Sequence, residues 1–208
     1  MARNKPSSQS STRSDKDASG RASGHVRVIS GRWRGRKLPV RDVTGLRPTT
    51  DRVKETLFNW LAADIRDSRC LDLFAGSGSL GFEALSRYAA YVMMVELDRG
   101  AAAQLASNLA TLQCQEGRVV QQDALSLLSG PSEPFDIVFL DPPFRKDLLE
   151  GVCSLLESRG WLSDNALIYI EREKEALEPQ FPANWQLCKD KQAGQVRYQL
   201  YQRESITP

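Results

Sequence analysis

The sequence predicts an α/β fold: a mostly parallel, Rossmann-like seven-stranded sheet with helices on both faces, a C-terminal antiparallel hairpin and a small N-terminal β-hairpin extension. Two observations carry this. From Cys70 onward, short apolar runs alternate with stretches of helical period, the pattern of a parallel sheet wound with helices. Residues 184–204 break that alternation and read as two strands joined by a turn. The 208 residues suit one globular domain with an added segment.

Residues 1–24, MARNKPSSQSSTRSDKDASGRASG, are polar and Ser-rich and lack an apolar h-region. They read as a disordered polar tail, not a secretory signal. Residues 25–48 follow as a basic hairpin. Its stretch RVISGRWRGRKLPV (27–40) sets two extended pieces around a Gly-rich turn that carries Arg32, Arg34, Arg36 and Lys37 about Trp33.

The main domain, 49–204, opens with a helix inside GLRPTTDRVKETLFNWLAADI (45–65). Pro48, Thr49, Thr50 and Asp51 supply start and N-cap chemistry. Val53, Leu57, Trp60 and Leu61 fall on one apolar face. CLDLF (70–74) is then a strand and SLGFEALSR (79–87) a helix; YVMMVEL (91–97) is a strand and RGAAAQLASNLATLQ (99–113) a helix. GRVVQQD (117–123) is the third strand of the series, followed by a short helix at ALSLLS. FDIVFL (135–140) is the fourth, with a helix in KDLLEGVCSLLESRG (146–160), and ALIYIERE (166–173) the fifth. NWQLCKDKQAGQVRYQLYQRE (184–204) closes the chain as the hairpin, turning near Ala193 and Gly194.

Composition narrows the function classes. No apolar run approaches the ~18 residues of a membrane-spanning helix. Cys70, Cys114, Cys153 and Cys188 lie far apart with no C-x-x-C pair, which argues against a zinc site or a disulfide framework and for a reducing cytoplasm. The single histidine, His25, sits at the end of the tail and is read as incidental. Residues 1–50 hold 12 Lys and Arg against 3 Asp and Glu, a charge of +9, so the remainder, with 16 against 23, is −7. That asymmetry suggests a basic arm facing a polyanion.

The first strand runs into LDLFAGSGSLG (71–81), where Gly76, Gly78 and Gly81 match G-x-G-x-x-G between strand and helix. Glu96, twenty residues after Gly76, ends the next strand, where an acid can accept from ribose hydroxyls. Dinucleotide enzymes share that spacing. Asp72, four residues before Gly76, separates the two readings: a carboxylate gains nothing beside a pyrophosphate but answers an ammonium. Asp123 ends the third strand, where it can accept from an adenine amine. Three strand-end acids in order suit S-adenosylmethionine, with its sulfonium, ammonium and ribose, over NAD.

The stretch LDPPF (140–144) ends the fourth strand. Pro142 and Pro143 lack N–H groups and hold their predecessors extended. That segment offers acceptors only, the Asp141 carboxylate and backbone carbonyls, to which a planar –NH₂ is complementary. Holding both N–H groups aims the nitrogen lone pair for in-line displacement, with Asp141 placed to take a proton and Phe144 to stack on a base.

D-P-P-F is similar to the signature of amino methyltransferases of the seven-strand class I S-adenosylmethionine-dependent group. RVISGRWRGRKLPV, LRPTTDRVKETLFNWL, LDLFAGSGSLGFEALSRYA, NLATL, DPPFR and AGQVRYQLYQRE together resemble the RsmD family, over about residues 25–204. The resemblance implies a ribosomal RNA guanine-N2 methyltransferase, acting on guanine 966 of 16S rRNA within the small ribosomal subunit or its assembly intermediate. It implies that Asp141, Pro142, Pro143 and Phe144 hold the target base. It places the methyl donor on Asp72, Phe74, Ala75, Gly76, Ser77, Gly78, Gly81, Glu96, Asp123 and Ala124. Its R-P-T segment, Arg47, Pro48 and Thr49, flanks the active site.

RNA contact is expected from Arg32, Trp33, Arg34, Arg36 and Lys37, with cations on phosphate and Trp33 either stacked on a base or packed on the body. Arg47, Thr49 and Arg145 are added at the active-site rim. A cytoplasmic monomer without metal or membrane association is expected. The rival substrates, adenine N6 or cytosine N4 in DNA and a glutamine amide in protein, also present –NH₂ groups. A second rival is a non-catalytic RNA-binding assembly factor on the same fold.

Overall fold

Strand formation follows the apolar runs, because a strand covered on both faces has no use for polar alternation. The computed structural model describes Met1 and residues 24–41, 50–143, 148–177 and 179–205. Seven strands among them form the main sheet: β3 (Arg69–Asp72), β4 (Tyr91–Glu96), β5 (Gly117–Gln121), β6 (Phe135–Leu140), β7 (Leu162–Glu173), β8 (Trp185–Ala193) and β9 (Val196–Arg203). Their order is β5-β4-β3-β6-β7-β9-β8. β3 to β7 run parallel, and β9 pairs antiparallel with both β7 and β8.

The chain builds outward from β3 to β5, then returns to lay β6 on the other side of β3. That reversal opens a crevice at the carboxyl ends of β3 and its neighbours, where ligands bind in such sheets.

Two apolar layers cover the sheet. On one face lie α1 (Asp51–Trp60), α2 (Ser79–Ser86) and α3 (Arg99–Thr111). On the other lie α4 (Ala124–Leu128) and α5 (Leu149–Ser158). Thr50 caps α1 by accepting from the Val53 N–H, and Asp98 caps α3 through the Ala101 N–H. The buried face of α1 includes Phe58, which meets Phe139 at 5.9 Å, and Lys54, neither anticipated by the apolar spacing. Trp60 is only half-buried and stacks on Tyr198 at 5.5 Å. β7 begins at Leu162, four residues before the expected start, across a register irregularity at Phe135/Ile137.

The N-terminal hairpin pairs β1 (Gly24–Arg27) with β2 (Lys37–Val40) around a 3-10 turn at Gly31–Trp33. It is built onto the body: Val26, Val28 and Leu38 belong to the same apolar layer as α1 and α2. Glu83 of α2, fully buried, accepts from the Ile29 N–H at 2.8 Å and the Ser30 N–H at 3.1 Å. It also accepts from Arg87 Nε at 2.8 Å and lies 4.0 Å from Lys54 Nζ. Lys54 donates to the Arg27 carbonyl at 2.6 Å. Burial pulls the Lys54 pKa down, opposed by Glu83 and Asp51.

Of the expected polar tail, 1–24, residues 2–23 lie outside the described residues, and Gly24 already belongs to β1, where it pairs with Val40. Arg47, Pro48 and Thr49 also lie outside the described residues, and likewise Phe144 and Arg145. No helix among the described residues is long and apolar enough to cross a membrane, and no metal-holding group of His, Cys, Asp or Glu occurs among them.

Candidate active site

The turn after β3 is shaped by its glycines. Gly78 stands at φ 76°, in the left-handed region, as the residue before α2. A Cβ there would lie 2.5–2.6 Å from Phe82 and Leu105 atoms, so a side chain is excluded by space as well as by backbone. Phe74 is half-buried, and Ala75 and Ser77 are buried; the Ala75 N–H donates to the Val95 carbonyl at 2.9 Å. The loop is thereby tied to the end of β4.

The strand-end acids gather at this turn. Asp72 is 2% exposed, and its Oδ2 accepts from the Gly81 N–H at 2.9 Å. Among the described residues it has no ion-pair partner. Burial pushes its pKa up to about 7, the Gly81 bond works against this, and the nearby Glu96 adds to it. Glu96 binds the loop directly, with Oε2 accepting from Gly76 N–H at 2.8 Å and Oε1 from Asp98 N–H at 2.7 Å. Each oxygen keeps further acceptor capacity. Asp123 is exposed and caps α4 through the Ser126 N–H at 2.9 Å, and Ala124 beside it is buried. A buried carboxylate without a cation, beside a second acid and a close-packed turn, is a cradle for a positively charged ligand.

Asp141 follows β6 directly, half-buried, with Pro142 buried and Pro143 exposed. Phe139 and Tyr169 are register partners across β6 and β7, and Leu140 pairs with Ile170. Asp141 and Glu171 therefore each stand one residue beyond the last pair. The Tyr169 hydroxyl donates to Glu171 Oε2 at 2.9 Å, and both residues are buried. The Tyr169 hydroxyl is held well above its ordinary range, first by burial, then by Glu171 and by Asp141.

The sequence treats ALIYIERE only as a strand, so Tyr169 and Glu171 are additions of the structure. An acid inside an apolar strand, two residues after a tyrosine on the same face, is the signal that could have found them.

The hairpin reaches the same region. Pro39, Val40 and Arg41 line a crevice with Gly76, Ser77 and Gln104. At the turn, Arg34, Arg36 and Lys37 are exposed. Arg32 is engaged within the protein: its guanidinium lies 4.0 Å over the Trp33 ring and pairs with Glu116 at 2.9 Å, holding that carboxyl down at about 2. Trp33 is half-buried and packs against the α1–α3 layer, the packed arrangement of the two expected for it.

Residues 26–202 match the family model described as conserved hypothetical protein 95. The chain is 60% identical over 183 residues to "Ribosomal RNA small subunit methyltransferase D" of Escherichia coli (strain K12), covering 88% of this chain and 92% of that protein. Its likeness to the protein of the same name in Haemophilus influenzae is 56% over 186 residues, covering 87% and 95%. Among solved structures, yhhF of Escherichia coli superposes with a TM-score of 0.83 at 58% identity, over 87% of this chain and 99% of that one. TrmN of Thermus thermophilus shares the fold at 20% identity and a TM-score of 0.61, over 73% and 48%.

Proposed function

The chain belongs to the conserved hypothetical protein 95 family, the RsmD family, and on that premise we propose that it methylates the exocyclic N2 amine of one guanine, guanine 966 by family resemblance, in 16S rRNA. Its partner is the small ribosomal subunit or an assembly intermediate of it, met in the cytoplasm by a monomer that uses no metal. The observation that carries this reading is the row of acids at the carboxyl ends of adjacent strands, Asp72, Glu96 and Asp141, around the glycine turn.

The methyl-donor set, from Asp72 to Gly81 with Glu96, Asp123 and Ala124, suits S-adenosylmethionine. Asp72 answers its ammonium and Glu96 its ribose hydroxyls, with the Gly78 turn allowing close approach. When bound, that cofactor supplies an electrophilic methyl group on a sulfonium.

Asp141 accepts one N–H of the target amine, and the carbonyls of the Asp-Pro-Pro stretch accept the other. The nitrogen lone pair is left pointing out of the base plane, and Asp141 is positioned to hold the proton the amine releases. Phe144 stacks on the base. Arg34, Arg36 and Lys37 contact phosphate, joined at the rim by Arg47, Thr49 and Arg145. Arg32 fixes the Trp33 ring. In a folded RNA the guanine must be extruded to reach such a pocket.

The test is transfer of labelled methyl from S-adenosylmethionine to unmodified 30S particles, naked 16S rRNA and plasmid DNA, followed by nucleoside digestion. Label in N2-methylguanosine from the particle is expected, falling by at least ~10²-fold in Asp141→Ala. Label in N6-methyladenine or N4-methylcytosine would overturn the assignment. Full cellular function in Asp141→Ala would replace it with the non-catalytic assembly factor.

A further inference from the structure

The sheet sets Asp141 and a pair of exposed lysines at one level. Leu140, Ile170, Gln199 and Asp190 form a row of register partners across β6, β7, β9 and β8. β8 runs in the same direction as β6, so Asp141 and Lys191 each stand one residue beyond that row. Three strand spacings of about 4.8 Å put their backbones roughly 14 Å apart. We propose that this edge of the sheet, Lys189 and Lys191 of β8 with Trp60 at the end of α1, is a second RNA-contact surface. It holds the substrate strand next to the target nucleotide, with the lysines on phosphates and the Trp60 ring against a neighbouring base. This deepens, and rests on, the rRNA guanine-N2 reading above.

The two faces of β8 are charged differently. Lys191 stands opposite Tyr198 and Lys189 opposite Leu200, so both lysines lie on the side of the sheet that α1 covers. On the other side Asp190 neutralises Arg197 at 2.6 Å. Among the described residues neither lysine forms an ion pair. β8 is exposed from Gln186 to Gln192, so nothing among the described residues covers its lysine-bearing face. Two unneutralised cations on an open strand of a net acidic body are complementary to a polyanion.

Trp60 supplies the aromatic surface beside them. It is half-buried and stacks on Tyr198 at 5.5 Å. Lys191 Nζ lies 5.9 Å over its ring, at the outer limit of about 6 Å for such a contact, so the ammonium can turn to a phosphate. Single-stranded RNA is held by this pairing of stacked rings and cations. Lysines on an edge strand also deter strand pairing, but that role gives no reason for a half-exposed tryptophan beside them.

The position fits an extruded base. β3, which feeds the glycine turn, lies on one side of β6, and β8 lies on the other. Donor and RNA strand thus approach Asp141 from opposite sides. The cations of the N-terminal turn are placed elsewhere: the Trp33 N–H donates to Ser86 Oγ at 3.0 Å, at the far end of α2. Eight helical residues put that end about 12 Å from the glycine turn. Unstacking the target is costly, so its neighbours need a grip of their own.

The test is binding of the full-length protein to 16S rRNA across salt concentrations, with methyl transfer to 30S particles followed alongside. Lys189→Gln and Lys191→Gln should each flatten the slope of log K against log salt by ~0.7–0.9, and the pair by about 1.5. Arg159→Gln makes the same change of charge just ahead of β7, at the other end of the strands, and should leave the slope as in wild type. Trp60→Leu should weaken binding by about tenfold at an unchanged slope. In the lysine pair and in Trp60→Leu, kcat/KM for particles should fall in step with binding. The melting shift given by S-adenosylhomocysteine should persist, showing a folded protein with an intact donor site. If Trp60→Leu loses that shift, the lysine variants decide the matter. An unchanged slope in the lysine pair, equal flattening by Arg159→Gln, or full binding by a folded Trp60→Leu overturns the second surface and leaves the guanine-N2 reading intact. Label from wild type in DNA bases, with none in rRNA, overturns the reading beneath it.

Discussion

Asp72 is held in the folded protein at a cost. Burial disfavours its charged form and pushes its pKa from the ordinary carboxylate range near ~4 up to about 7. A raised carboxyl pKa means that the folded state holds a proton the unfolded state has released. Its contribution to stability is therefore complete below pH ~4 and lost as pH rises through about 7. Without ligand, Asp72→Asn should be more stable than wild type at pH 8, by up to ~4 kcal/mol. The gap should close toward pH 4, as followed by urea unfolding. Ligand binding should run the other way. An ammonium needs the charged form, so S-adenosylmethionine affinity in wild type should weaken by up to ~10-fold per pH unit below about 7. Calorimetric titration of Asp72→Asn should show weaker binding with no such slope. The acids that end strands were legible in the sequence because glycine spacing and strand ends fixed their places. Tyr169 and Glu171 left only a local trace, an acid two residues after a tyrosine in an apolar strand; their level beside Asp141 follows from strand pairing, which no local pattern encodes.

At the scale of elements, the alternation of apolar runs and helical periods located the sheet, because each run had to be covered on two faces. It could not show that the hairpin docks on α2. That contact depends on Glu83, an acid in a helix that is otherwise buried on every side, and on Gly31. Gly31 stands at φ 79°, and a Cβ there would fall 1.8 Å from the Ser86 carbonyl oxygen. The trace in sequence is slight: an acid in an apolar helix and a glycine in a basic turn. The docking matters for function because α2 begins at the glycine turn, so hairpin and donor loop share one support. Glu83→Ala leaves the Ile29 and Ser30 N–H groups and Arg87 Nε without their acceptor and takes one of two counter-charges from Lys54. It should destabilise the protein by about 3–5 kcal/mol and raise hydrogen exchange at Ile29 and Ser30 before the sheet opens. Glu83→Gln, which keeps an acceptor, should lose less. Equal protection of Ile29 and Ser30 in wild type and Glu83→Ala would show that the hairpin is held by its apolar contacts alone.

Across the whole molecule, charge is distributed by segment: +9 over residues 1–50 and −7 over the rest. The body is net acidic, so the basic segment orients the encounter with a polyanion as well as strengthening it. Because Arg32 is committed to Glu116 and Trp33, the cations of the turn left for phosphate are Arg34, Arg36 and Lys37, all exposed. Each phosphate neutralised releases counterions, at ~0.7–0.9 per contact in the slope of log K against log salt. Replacing all three by Gln should flatten that slope by about 2 and weaken RNA binding most at low salt. Donor affinity should stay unchanged, since none of the three lines the crevice at the glycine turn. Filter binding of 16S rRNA from low to moderate salt measures this directly. An unchanged slope would move the phosphate contact off the turn, whereas a matching loss of donor affinity would mean that the substitutions reach the loop through α2.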